Sequence, residues 1–174
     1  YFSNSKSVNY LGKKITKGKV INNEINQICD SIIYENDSDF YLNKSSRKET
    51  LNKFLTPDKI NLLSYEGFTQ SLALNYFRNL DEVFKRLYAL FENNEIKIIM
   101  VIRNHTEMLY SHYNQFRSFL FSNGLTYDDL SKSLKNNTDN KFLDQFMYSK
   151  VKKKLEFYFG NNIEILLYED LLSN

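Results

Sequence analysis

Five consecutive apolar residues, Ile98-Ile99-Met100-Val101-Ile102, stop at Arg103, and a helical pattern starts around Thr106. An apolar run of this length bounded by polar residues reads as a buried strand. A strand that ends at an arginine and turns into a helix is how open α/β folds build anion sites. Ligands in such folds lie outside the carboxyl ends of the strands. The helix start adds free N–H groups and the positive end of its dipole.

The rest of the chain fits that architecture. Ile21, Ile25, Ile28 and Ile32 recur at helical spacing, which predicts one helix over Lys19 to Tyr34. Ser45 to Leu55 reads as a second helix, stopped by Thr56-Pro57-Asp58. Between them, 35–39 is polar and reads as a loop. Lys59 to Ser64 is a short strand. Asp81 caps a helix reaching Phe91, with Val83, Phe84, Leu87, Leu90 and Phe91 inward. The strand Glu95–Ile102 follows, and then a helix to about Phe121. Thr126 opens a short helix through Leu134. Phe142 to Phe159 is a long helix, with Gly160 at the position of a left-handed cap. Ile163 to Tyr168 is the last strand. Strands alternating with helices predict parallel pairing.

Bulk properties narrow the function. The 174 residues suit one domain, taken here as 1–174. The net charge of +2 lends no support to a nucleic-acid or membrane partner. No apolar run approaches a membrane span. Cys29 is the one cysteine, so an internal disulfide and a zinc cluster are both excluded, and its apolar neighbours predict a buried, inert thiol. His105 and His112 lie seven apart, but no carboxylates are placed to complete a metal site. Low cysteine and the lack of a targeting segment make the cytoplasm the default location. The chain begins at a tyrosine and ends in what reads as a helix start, so it is expected to be a fragment.

Arg103, Asn104 and Ser111, followed by the tail Tyr110-Ser111-His112-Tyr113, resemble the 3′-phosphate-binding segment of PAPS-dependent sulfotransferases. That family has an arginine at a strand end and a serine eight residues later; His105 stands where it usually has proline. Three further segments resemble family segments in order and distance: Asn9-Tyr10-Leu11-Gly12-Lys13, Asn61 to Phe68 (NLLSYEGF), and Phe159-Gly160 followed by IEILLYEDL. The resemblance is to the bacterial and carbohydrate type. It implies a three-layer P-loop-type α/β fold, a small parallel sheet flanked by helices, incomplete at both ends. It also implies sulfuryl transfer from PAPS to a hydroxyl of a carbohydrate or small-molecule acceptor, without a metal. In that reading Arg103 and Ser111 bind the 3′-phosphate. Glu66 is the candidate base, chosen by its position at a strand end beside Ser64 and Gly67.

Each residue also has a plainer role. Arg103 can pair with a surface carboxylate, Glu66 can be a loop carboxylate, and Tyr168, Glu169 and Asp170 can brace the next helix and nearby loops. The Gly- and Ser/Thr-rich loop that holds the phosphosulfate in the family does not occur in these residues, and no G-x-x-x-x-G-K-[ST] pattern is present. It is expected upstream of Tyr1. The competing reading is a non-catalytic nucleotide- or glycan-binding or scaffold module of degenerate sulfotransferase fold. A nucleotide kinase of similar architecture would need a Walker lysine and a magnesium-binding aspartate that the chain does not place.

Overall fold

The computed structural model describes residues 6–12, 14–16, 19–21, 23–65, 68, 79–92, 94–115, 117–122, 124–136, 143 and 146–172. It is a mixed α/β structure with small sheets and packed helices. The chain separates into two compact units, Tyr1–Asn94 and Glu95–Asn174.

In the first unit, β1 (Val8–Tyr10) pairs in parallel with β4 (Ile60–Leu62), in the register Val8↔Ile60 to Tyr10↔Leu62. The Leu11 N–H extends the ladder to the Leu62 carbonyl at 2.8 Å. Gly12 follows because the chain passes close to β4: a Cβ there would collide with the Tyr10 ring and sit 2.8 Å from the Ser64 carbonyl oxygen. The Asn9 amide ties this sheet to the preceding helix, donating to the Phe54 carbonyl at 2.7 Å and to Asn61 Oδ1 at 2.8 Å.

A single helix over Lys19 to Tyr34 does not form. Lys19–Ile21 is β3, paired antiparallel with β2 (Lys14–Thr16), and α1 begins at Asn23 and ends at Tyr34. Val20 and Ile21 are β-branched and close a hairpin, so local pairing takes the first turn of the expected helix. The 35–39 stretch is not all loop either. Asn36 accepts the Asp39 N–H at 2.9 Å and starts α2 (Asp37–Leu42). Helix α3 (Lys44–Phe54) ends before Thr56-Pro57, and α4 (Leu80–Phe91) is capped by Asn79 rather than Asp81, which lies in its first turn. The α1 stripe Ile25, Ile28, Cys29, Ile32 and Ile33 is buried, as are Leu51 of α3 and Val83, Phe84, Leu87 and Leu90 of α4.

Arg86 is buried with this core. From α4 it donates to the carbonyls of Ile32 at 3.1 Å and Glu35 at 2.7 Å, pairs with Asp37, and lies over the Phe40 ring at 4.9 Å. It therefore satisfies the open carbonyls at the end of α1, which would otherwise be orphaned.

In the second unit, β5 (Ile98–Ile102) and β6 (Ile163–Leu167) pair in parallel from Ile98↔Ile163 to Ile102↔Leu167. Between them come α5 (His105–Gln115), α6 (Arg117–Ser122), α7 (Tyr127–Lys135) and α8 (Tyr148–Phe159); α9 (Tyr168–Leu172) follows β6. The expected helix to Phe121 is thus two, α5 and α6. Thr126 caps α7 through a capping box with Asp129, as the spacing predicts. The long helix starts at Tyr148 rather than Phe142, which lies outside the described residues. Gly160 ends it with φ of 62°, a conformation that costs glycine nothing.

The apolar run of β5 is not buried on both faces. Met100 is buried, but Ile99 and Val101 are 49% and 47% exposed. Alternation along a strand sends Ile99 and Val101 to the face opposite Met100. The buried set of this unit comprises Met100, Leu109, Leu120, Leu130, Leu143, Phe146, Met147, Val151, Leu155 and Phe159.

Candidate functional site

Arg103 is the first residue past β5, and the turn from strand to helix is built around it. Asn104 caps α5: its Oδ1 accepts the Thr106 N–H at 3.0 Å and the Glu107 N–H at 3.3 Å. The Asn104 N–H itself donates to Glu169 Oε1 at 3.2 Å, at the start of α9. The last strand and the arginine turn are thereby joined through side chains that leave β6 at its carboxyl end.

The Arg103 guanidinium lies between three groups. Nη2 donates to Glu107 Oε2 at 3.1 Å, one turn along α5. The Tyr168 ring lies under it, 5.1 Å from Cζ to the ring centre, within cation–π range. Nε is buried and has no hydrogen-bond partner among the described residues. A buried N–H without a partner costs free energy that a bound acceptor would recover. The side chain as a whole is 39% exposed, although Nε is buried and Nη2 is engaged by Glu107.

The Arg103 backbone is held from α8. The Tyr148 hydroxyl accepts the Arg103 N–H at 3.2 Å and donates to its carbonyl at 2.7 Å. Met108 Sδ is 2.9 Å from the same oxygen, and the His105 ring stacks on Tyr148 at 4.4 Å with 27° between planes. Burial raises the Tyr148 phenol above its ordinary value, with the Glu169 charge adding to it. Glu169 is shifted the other way. Hydrogen bonds from its own backbone N–H and from Asn104 hold its carboxyl below the usual range, helped by the Arg103 charge.

Ser111 is exposed on α5, two turns beyond the arginine, where an anion held by Arg103 would have to reach it; Arg103 itself bonds Glu107 and not Ser111. The histidines do not share a role. His105 is exposed at the helix start against Tyr148, whereas His112 is buried and meets Phe146 edge to face at 5.3 Å. Among the described residues no group of three His, Cys, Asp or Glu is placed to hold a metal. No helix among them is long and apolar enough to cross a membrane.

Glu66 and Gly67 lie outside the described residues. Their neighbours in the first unit are visible. Ser64 is exposed, and the Tyr65 phenol donates to the Asp30 carboxylate on α1. Burial and that bond raise Tyr65 well above the ordinary phenol range.

Sequence reasoning placed Arg103 at the strand end, allowed for its pairing with a surface carboxylate and gave Glu169 a bracing role, but it did not name Glu107 as that carboxylate and missed Tyr148. Glu107 had a readable signal, its i,i+4 spacing from Arg103. Tyr148 had none, because 45 residues separate it from the backbone it bonds.

The sequence model of the sulfotransferase domain matches residues 82–174, more than half of the chain. No curated protein and no solved structure matches it significantly.

Proposed function

The chain belongs to the sulfotransferase domain family, and from that premise we propose that it moves a sulfuryl group from PAPS to a hydroxyl of a carbohydrate or small-molecule acceptor. Sulfuryl transfer is the chemistry of the family; the donor, the acceptor and the residue roles are our reading. It includes the bacterial carbohydrate type, a cytoplasmic location and a single three-layer domain.

The observation that carries the reading is Arg103 itself: a partly exposed side chain at a strand end, beside a capped helix start, with one buried N–H lacking a partner. These residues fit a phosphate. A guanidinium meets a phosphate with two parallel bonds, which a lysine does not reproduce. Arg103 and Ser111 would hold the 3′-phosphate, Ser111 through its hydroxyl. PAPS, when bound, supplies the activated sulfuryl group. The chain's own contribution is to bind and orient that donor and to take the acceptor proton, a role we give to Glu66.

The test is a titration of the full-length protein with adenosine 3′,5′-bisphosphate, the desulfated product, read by thermal shift. Binding to the native state raises apparent stability by about 2.7 kcal/mol at a hundredfold excess over Kd. A shift in the wild type that is lost in Arg103→Ala and reduced in Ser111→Ala supports the assignment. A folded protein with no shift would move the reading to a non-catalytic binding or scaffold module. Glu66→Gln should lower kcat while leaving bisphosphate affinity unchanged. A variant that keeps full turnover removes Glu66 as the base.

A further inference from the structure

Arg103 follows the last ladder pair, Ile102↔Leu167, at the point where the chain leaves the sheet. Backbone polar groups at such a turn need partners. Here one side-chain oxygen serves both, since the Tyr148 hydroxyl accepts the N–H and donates to the carbonyl of Arg103. We propose that Tyr148 is the positioning residue of the anion site: its hydroxyl fixes the Arg103 backbone, and with it the direction in which the guanidinium leaves the strand end. The inference rests on the reading of Arg103 as the 3′-phosphate ligand.

Tyr148 is suited to this because it is itself held. It is the first residue of α8, and the His105 ring is stacked on it. Met108 Sδ also touches its hydroxyl oxygen. His105 and Met108 both belong to the start of α5. The phenol therefore grips the strand end and the helix start together, on either side of the arginine turn. Two-point recognition of a phosphate depends on a fixed fork. A side chain free to swing would lose alignment, and small misplacements are costly in affinity and rate. Phenylalanine at 148 would keep the ring against His105 but leave the Arg103 N–H and carbonyl to water.

Calorimetric titration of the full-length protein with two probes tests this. The probes are adenosine 3′,5′-bisphosphate and adenosine 5′-monophosphate, which lacks the 3′-phosphate. Tyr148→Phe should bind the bisphosphate about tenfold more weakly, with wild-type affinity for the monophosphate and an unchanged far-UV circular dichroism spectrum. Equal loss for both probes would indicate a general structural role and overturn the proposal. Wild-type affinity in Tyr148→Phe, alongside loss in Arg103→Ala, would overturn the role of Tyr148 alone. No loss in Arg103→Ala would overturn the phosphate assignment and this inference with it. Should Tyr148→Phe not fold, amide exchange in the wild type decides. An Arg103 N–H protected like the β5 ladder amides supports the proposal, and exchange at the rate of an open loop overturns it.

Discussion

Arg103 and Glu107 form an i,i+4 ion pair across the first turn of α5, with Nη2 3.1 Å from Oε2. The carboxylate occupies a donor that a phosphate would use. Glu107 is 62% exposed, and exposed pairs of this kind are worth about 0.3–0.5 kcal/mol. Glu107→Gln should therefore tighten adenosine 3′,5′-bisphosphate binding about twofold. Calorimetry at low salt would measure it, where the effect is largest. Unchanged or weaker binding would show that Glu107 does not compete for the fork.

Arg86 closes the carbonyl end of α1 and stacks on Phe40. Arg86→Leu keeps the apolar volume but leaves buried carbonyls without a donor. Each such group costs about 1–3 kcal/mol, so a total loss of about 2–3 kcal/mol is expected after partial access by water. Urea denaturation followed by circular dichroism would show a lower midpoint. A midpoint equal to the wild type's would mean that the carbonyls find other partners.

Cys29 supplies a pH dependence. Burial, with the nearby Asp30 charge adding, pushes its thiol from 9.0 up to about 12. The native state thus holds the proton more tightly than the unfolded chain. This contribution to stability is fully present below the unfolded value and is lost as pH rises toward 12. Tyr65 and Tyr148, raised by their own burial, act in the same direction. Urea midpoints taken from pH 7 to pH 11 should hold steady and then fall, and Cys29→Ala should fall less steeply. The native thiol should resist Ellman's reagent at pH 8 and react once urea unfolds the chain. Rapid reaction in buffer would contradict the burial.

Thr126 and Asp129 cap α7 reciprocally, with the Asp129 N–H 3.2 Å from Thr126 Oγ1 and the Thr126 N–H 3.4 Å from Asp129 Oδ2. The Thr126 hydroxyl, 2.5 Å from Asp129 Oδ2, and then the Thr126 N–H hold the Asp129 carboxyl below its usual range, so the cap weakens as pH falls into acid. Thr126→Ala should cost about 1 kcal/mol. A thermal melt would show a Tm lower by several degrees at neutral pH, with a smaller difference at pH 3. A constant difference across that range would mean that the Asp129 charge plays no part.

Much of the site was legible in the order of residues. The run ending at Ile102, the arginine after it and the helix that follows are local features, set by period, charge and a capping asparagine. The same holds for α4, α7 and the Gly160 terminus. The failures have one kind of cause. Lys19–Ile21 matched a helical period, yet a hairpin partner a few residues upstream outcompeted it. Ile99 and Val101 read as buried because an apolar run does not say which face its neighbours cover.

What the chain's sequence determined by itself was the alternation of strands and helices and the placing of Arg103 at a strand end, because propensity, period and caps act over a few residues. Tertiary structure alone decided what surrounds that arginine: Tyr148 on its backbone, Tyr168 under its guanidinium and Glu169 on the Asn104 N–H. Those partners come from 45 to 65 residues away. Which of many tyrosines and carboxylates meets one turn is set by how α8 packs against β6 and β6 pairs with β5, and no local pattern encodes that.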